Sequence, residues 1–187
     1  MRKIIIAAAA FISAAISACA QPSADQRELA RVHWLPAIKE IVRSGDLADY
    51  ENVARQLNLI LEAKGPIPAK DVDGNITGEN IDVDTVPPAN SPGKDKIRFH
   101  YGIYIPGDLS YKRAILTVRD ISLSECITES DVYRTFGQVR RTTYAHSPNY
   151  SIDHHFEGAN NINLVFRFER DVAKCATEID IFQNRWR

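Results

Sequence analysis

The sequence predicts an α+β fold, with an N-terminal antiparallel helix pair followed by a mainly antiparallel β-sheet that carries one inserted short helix. Two observations carry this. Apolar residues recur at the helical period of 3.6 as far as Leu61, and at the strand period of two from Lys96 onward. Helical segments grouped ahead of strands, rather than alternating with them, define the class.

The first helix opens with Ser23 and Gln26, the spacing of a capping box. Its stripe is Leu29, Val32, Leu35, Ile38, Ile41 and Val42, and Pro36 within it predicts a kink or break. Ser44-Gly45-Asp46 turns the chain, and Asp46 is placed to cap the second helix. That helix carries Leu47, Tyr50, Val53, Ala54, Leu57, Ile60 and Leu61 on one face and stops at Gly65-Pro66.

Residues 64–95 hold five of the nine prolines and read as a long loop with one hairpin at Asp73-Gly74. Strand alternation then begins with Ile97, Phe99, Tyr101, Ile103 and Ile105 facing one way. After the Pro106-Gly107-Asp108 turn, Ala114, Leu116 and Val118 share a face. Thr128 and Asp131 form a capping box for a short helix with Val132, Tyr133 and Phe136, closed by Gly137. Three strands follow. One places Ile162, Leu164, Phe166 and Phe168 together, and the last is expected to align Cys175, Thr177, Ile179 and Ile181.

Met1-Arg2-Lys3 followed by the apolar run Ile4 to Ile16 has the layout of a secretory signal, and it is too short for the ~20 residues of a spanning helix. Ile16-Ser17-Ala18-Cys19 resembles the lipobox of bacterial lipoproteins. The resemblance implies cleavage before Cys19, acyl chains on that residue, and an outer-membrane anchor facing the periplasm. Each buried methylene adds ~0.8 kcal/mol, so several chains hold a protein durably. The competing reading is a small-x-small site, Ala18-Cys19-Ala20, cut to release a soluble protein from Gln21. The expected organisation is a signal peptide over 1–18, a lipid-anchored tether over 19–24, a helical hairpin over 25–64, and loop plus sheet over 65–187. The last two form one domain.

With Cys19 assigned to the anchor, Cys126 and Cys175 remain, and an even pair in an exported chain reads as a disulfide. A redox or metal pair would call for CxxC spacing, which is absent. The signal carries Arg2 and Lys3 and no acid, so the rest of the chain holds 21 basic and 24 acidic side chains. That mildly acidic balance argues against a nucleic-acid partner.

Each candidate for chemistry has a plainer counterpart. Asp71, Asp73, Asn75 and Asp82 occupy positions one, three, five and twelve of a calcium loop, but Ile76 stands where glycine is needed, and a polar hairpin turn accounts for them. His154 and His155, near His146 and Asp153, point to opposite faces if they lie on a strand. No nucleophile elbow, zinc motif or phosphate loop occurs, and no motif calls for a cofactor. Tyr104 and Trp186 are the residues singled out for partner contact, being of types enriched at binding hot spots.

The segment Thr128 to Gly137 resembles the Thr-x-x-Asp-Val…Phe-Gly helix of outer-membrane assembly lipoproteins. The layout is also similar to lipoprotein immunity proteins that protect bacteria against secreted toxins. The expected function is therefore a lipid-anchored, periplasm-facing protein-binding module, an immunity protein in its sharper form. The alternatives are an envelope-assembly lipoprotein and an envelope hydrolase, which would need converging ionisable groups in a cleft.

Overall fold

The computed structural model describes residues 33–86, 97–123, 125–145, 147, 149–169 and 174–184. The signal, the tether with Cys19, Pro87 to Lys96, His146 and Trp186 lie outside them.

Among the described residues, eight strands form one antiparallel sheet, with three helices, so the fold is α+β. Helix α1 spans Trp34–Ser44 and α2 spans Tyr50–Leu57. Pro36 is the third residue of α1. There its missing N–H costs nothing, because first-turn amides have no intrahelical acceptor; the helix begins at Trp34 after the extended His33, which fits the break expected near Pro36 rather than a kink. The Trp34 amide donates to Glu125 Oε2 at 3.0 Å, which fixes this end of α1 beside the disulfide. Gly45 ends α1 in the left-handed conformation. Asp49, not Asp46, caps α2 by accepting from the Asn52 amide at 3.0 Å; Asp46 accepts from Ala48 in the turn between the helices.

Helix α2 ends earlier than its apolar stripe suggests. Asn58 turns left-handed, and Leu61 already pairs with Thr85. Strands β1 (Leu61–Lys70) and β2 (Ile76–Thr85) thus replace most of the expected loop, and the helical segment does not reach residue 64. The hairpin turn does fall at Asp71 to Asn75. Pro66 and Pro68 are compatible with β1 because it is an edge strand, with register shifts at Lys64/Ile67 and Ala69/Lys70.

Strands β3 (Arg98–Pro106) and β4 (Arg113–Arg119) complete a four-stranded meander. A single 3-10 turn over Ile121–Leu123 and helix α3 (Glu129–Phe136) lead to the second meander: β5 (Arg140–Thr143), β6 (Asn149–Phe156), β7 (Ile162–Glu169) and β8 (Ala176–Gln183). The order β1-β2-β3-β4-β8-β7-β6-β5 joins the meanders through β4 and β8 alone.

One face of the sheet is the core. Tyr101, Leu116, Ile181, Leu164, Phe166 and Ile152 are buried there with Ile41, Leu47 and Val53 of the helical segment. Each such side chain contributes roughly 1.5–3 kcal/mol through burial. The Tyr101 hydroxyl donates to the Leu47 carbonyl, and burial raises its pKa, so the phenol stays neutral.

Cys126 and Cys175 form a disulfide with Cα atoms 4.9 Å apart. Thr128 bridges Cys175, and the Ala176 amide donates to Ile127 O at 2.8 Å, so backbone bonds flank it. Thr128 and Asp131 make both bonds of the capping box. The Thr128 hydroxyl first, then its amide, holds the Asp131 carboxyl below the usual range. In β8 the expected face is broken. The ladder runs Arg167↔Glu178 and then Phe168↔Ala176, leaving Thr177 as an extra residue, so Ala176 rather than Cys175 or Thr177 continues the core face of Ile179 and Ile181.

Candidate functional site

The face of the sheet opposite the core carries mainly polar side chains, some of them buried (Thr117, Ser151 and Asp180), and is more apolar at one end. That end holds the β1–β2 and β3–β4 turns, and the Gly107 amide donates to Thr77 O at 2.9 Å between them. The α1–α2 turn lies at the same end, because the Leu47 amide donates to the Gln183 side chain. Helix α1 therefore runs from the disulfide end at His33 to the hairpin end, ~16 Å for its length.

Here this face forms a groove of about 570 Å³, lined among others by Ile67, Asp82, Gly102, Tyr104, Arg113 and Ile115. Two strand glycines shape it. At Gly78 an added Cβ would stand 2.3 Å from Ile105 O and 2.9 Å from Tyr104 Cε2, so the tyrosine ring packs directly on the β2 backbone. The Tyr104 hydroxyl donates to Thr77 O at 3.0 Å. At Gly102 an added Cβ would meet nothing within 4 Å, so the missing side chain leaves a dent in the floor. The Arg113 guanidinium lies 5.8 Å from the Tyr104 ring centre and 5.1 Å from that of Tyr111, cation–π contacts that position it at the rim. Ile67 is 52% exposed and Ile115 38%. Exposed apolar residues on a sheet face beside an aromatic ring and an arginine are the composition of a contact surface.

Gly78→Ala should displace Tyr104 and loosen the β2–β3 pairing, costing about 1–3 kcal/mol. Gly102→Ala should cost nothing. Urea unfolding of both variants, with tyrosine fluorescence, checks this; equal stability would mean that the Gly78 contact relaxes freely.

Tyr104, singled out in the sequence for partner contact, lies in this groove, whereas Tyr101 is core, and the aromatic Tyr150 stacks on Phe168 at 5.1 Å. Asp71, Asp73 and Asn75 share the β1–β2 turn, where Asp71 accepts from the Asp73 and Asn75 amides at 2.9 Å each. The Asn75 side chain and backbone lower its pKa. Asp82 is not with them; it lies in β2 opposite Lys64 and Gly102. His155 binds Asn163 Oδ1, and His154 binds the Gln138 carbonyl, both through Nδ1 at 2.7 Å. His154 also packs on Phe156 and Phe136. Among the described residues no three His, Cys, Asp or Glu side chains gather as a metal site.

Sequence reasoning missed Gly78, Gly102, Ile67, Arg113 and Ile115. Glycine inside an alternating strand was the available signal. It also missed an ionic ladder on the face opposite the core. Asp180 is buried, accepting from Thr117 Oγ1 at 2.7 Å and Arg167 Nε at 2.8 Å, while Glu178 pairs with Arg167 and Arg119. The chain matches no protein-family model, no curated protein and no solved structure.

Proposed function

We propose that the protein is a lipid-anchored module facing the periplasm that binds another protein through the hairpin-end groove. On this reading the helix pair is an antiparallel hairpin ahead of the sheet, α3 is its inserted helix, and Cys19 carries the lipid. The observation that carries the reading is the groove itself, a mixed apolar and polar surface with Ile67, Ile115, Tyr104 and Arg113 in its lining, at the end of the sheet opposite His33. Its neighbours argue for contact by side chains rather than by strand addition. Edge strand β1 has Pro66, Pro68 and two lysines, and the other edge, β5, is four residues long with two arginines.

An immunity role against a secreted toxin is the specific form proposed. A photo-reactive residue at Ile67 or Ile115 of the full chain in cells should give one discrete protein adduct. That adduct should be a toxin that kills cells lacking this protein. Recovery of the barrel-assembly machinery alone would replace immunity by an assembly role, and no adduct at any groove position would remove the binding reading.

The anchor has its own test. Cys19→Ser should abolish palmitate labelling and leave uncleaved precursor. Normal maturation to a soluble chain starting at Gln21 would show an ordinary signal peptide instead.

A further inference from the structure

Resting on the protein-binding reading, we infer that the two turns beside the groove present Val72 and Leu109 as fixed apolar prongs for sockets on the partner protein, with a basic side chain of that partner against Asp73. Turn positions ordinarily go to polar residues, glycine and proline. Here Val72, in the β1–β2 turn, is fully exposed, and Leu109, in the β3–β4 turn, is 76% exposed. Leu109 also has φ 54°, in the left-handed region that a bulky side chain enters only at a cost. An exposed side chain gains nothing from burial, so the fold offsets neither feature. A contact outside the chain would offset both.

Both turns are held by their own bonds. In the first, the Asp71 amide donates to Asn75 O at 3.0 Å, and the Asp71 carboxylate accepts from two turn amides and the Asn75 side chain. In the second, the Leu109 amide donates to Pro106 O at 3.0 Å, and Asp108 accepts from the Ser110 amide and hydroxyl. The Gly107–Thr77 bond joins the two. Prongs fixed before contact lose little freedom on binding. Three residues separate Thr77 from Gly74, so the first turn projects ~10 Å past that bond.

Charge decides what the prongs enter. Val72 lies between Asp71 and Asp73, and Leu109 follows Asp108, while Lys70 and Lys112 stand outside the turns. Sinking either apex into a lipid surface would carry these carboxylates among phosphates and hydrocarbon, where they are costly. A protein socket can set a guanidinium or ammonium beside them. Asp73 is the group to receive it. Asp71 and Asp108 are engaged within their turns, whereas the Asp73 carboxylate has no partner among the described residues.

A photo-reactive residue at Val72, Leu109 or Ile115 of the full chain in cells should give the same protein adduct. The partner segments joined at Val72 and Leu109 should be apolar, with a lysine or arginine close by in the one joined at Val72. Against that purified protein, Val72→Ser and Leu109→Asn should each raise Kd about tenfold. Asp73→Lys should raise it further than Asp73→Asn, because it opposes the basic side chain. Val72→Ser should leave the melting temperature unchanged, and Leu109→Asn should leave it equal or higher, since asparagine accepts the left-handed region. Kd unchanged within about twofold for both apex variants, or a melting temperature lowered by Leu109→Asn, would overturn the inference. So would adducts at the apices with lipid or a second copy of this chain alone, and equal effects of the two Asp73 variants would remove the basic contact. An adduct at Ile115 with none at Val72 and Leu109 would overturn the inference and leave the protein-binding reading standing, whereas no adduct at any of the three would remove both.

Discussion

Replacing Cys126 and Cys175 together by serine should lower the unfolding free energy by about 4 kcal/mol, the loop-closure entropy of a 49-residue separation. The native side of the balance changes little. The Thr128–Cys175 bridge and the Ala176 amide bond are backbone contacts that serine retains, as is the capping box of α3. The freedom gained belongs to the unfolded chain. At ~2–4 °C per kcal/mol for a domain of this size, the melting temperature should fall by roughly 8–16 °C. Cys126 is exposed, so a dithiol reductant should reproduce the effect on the unmodified chain. Urea unfolding with and without reductant is the measurement. Alkylation of the unreduced, denatured chain should label neither cysteine. A loss under about 1 kcal/mol would mean that the unfolded state is already held compact without the crosslink.

What was legible in the sequence was local. The alternation of Ile162, Leu164, Phe166 and Phe168 marks β7 because its inward residues are buried in a plain period of two. Thr128 and Asp131 mark the start of α3 because both bonds of a capping box lie within four residues. The misreadings occur where distant pairing overrides a local pattern. Ile60 and Leu61 continue the stripe of α2, yet the Val86 amide donates to Ile60 O and Leu61 pairs with Thr85. Pro66 and Pro68 suggest loop, but an edge strand tolerates residues that lack an N–H.

The groove was the least legible part. Its floor and rim come from β1 to β4, and only register brings Asp82, Gly102 and Ile115 into one row. Tyr104 could be singled out by residue type, but not its seat on Gly78. The join between meanders was equally hidden, since Leu116 meets Ile181 across 65 residues of chain. No periodicity within β4 or β8 names the other as its partner.

That join makes Asp180→Ala the second large loss. Asp180 is 3% exposed and lies on β8 between Thr117 of β4 and Arg167 of β7, accepting one bond from each. Glu178, next but one along β8, is bonded by Arg119 of β4 and Arg167 of β7. The ladder therefore spans the one strand pair that unites the meanders. Removing one partner of a fully buried ion pair costs about 3–5 kcal/mol. The Arg167 side chain is 40% exposed and keeps Glu178, so the expected loss is smaller, about 2–3 kcal/mol. Asp180→Asn keeps an acceptor for Thr117 and should cost about half as much.

A pH series separates charge from packing. Burial first, and the Asp180 charge second, raise the Glu178 pKa. A raised carboxyl binds its proton more tightly folded than unfolded. Its contribution is therefore full below the unfolded value and is lost as pH rises from there through the folded value. Asp180→Asn removes one cause of the shift, so stability should decline less over that window, read by urea unfolding between about pH 4 and about pH 7. An Asp180→Ala chain that unfolds at the original urea midpoint would show that the ladder adds nothing at the join. The pairing of β4 with β8 would then rest on apolar contacts such as Leu116 with Ile181.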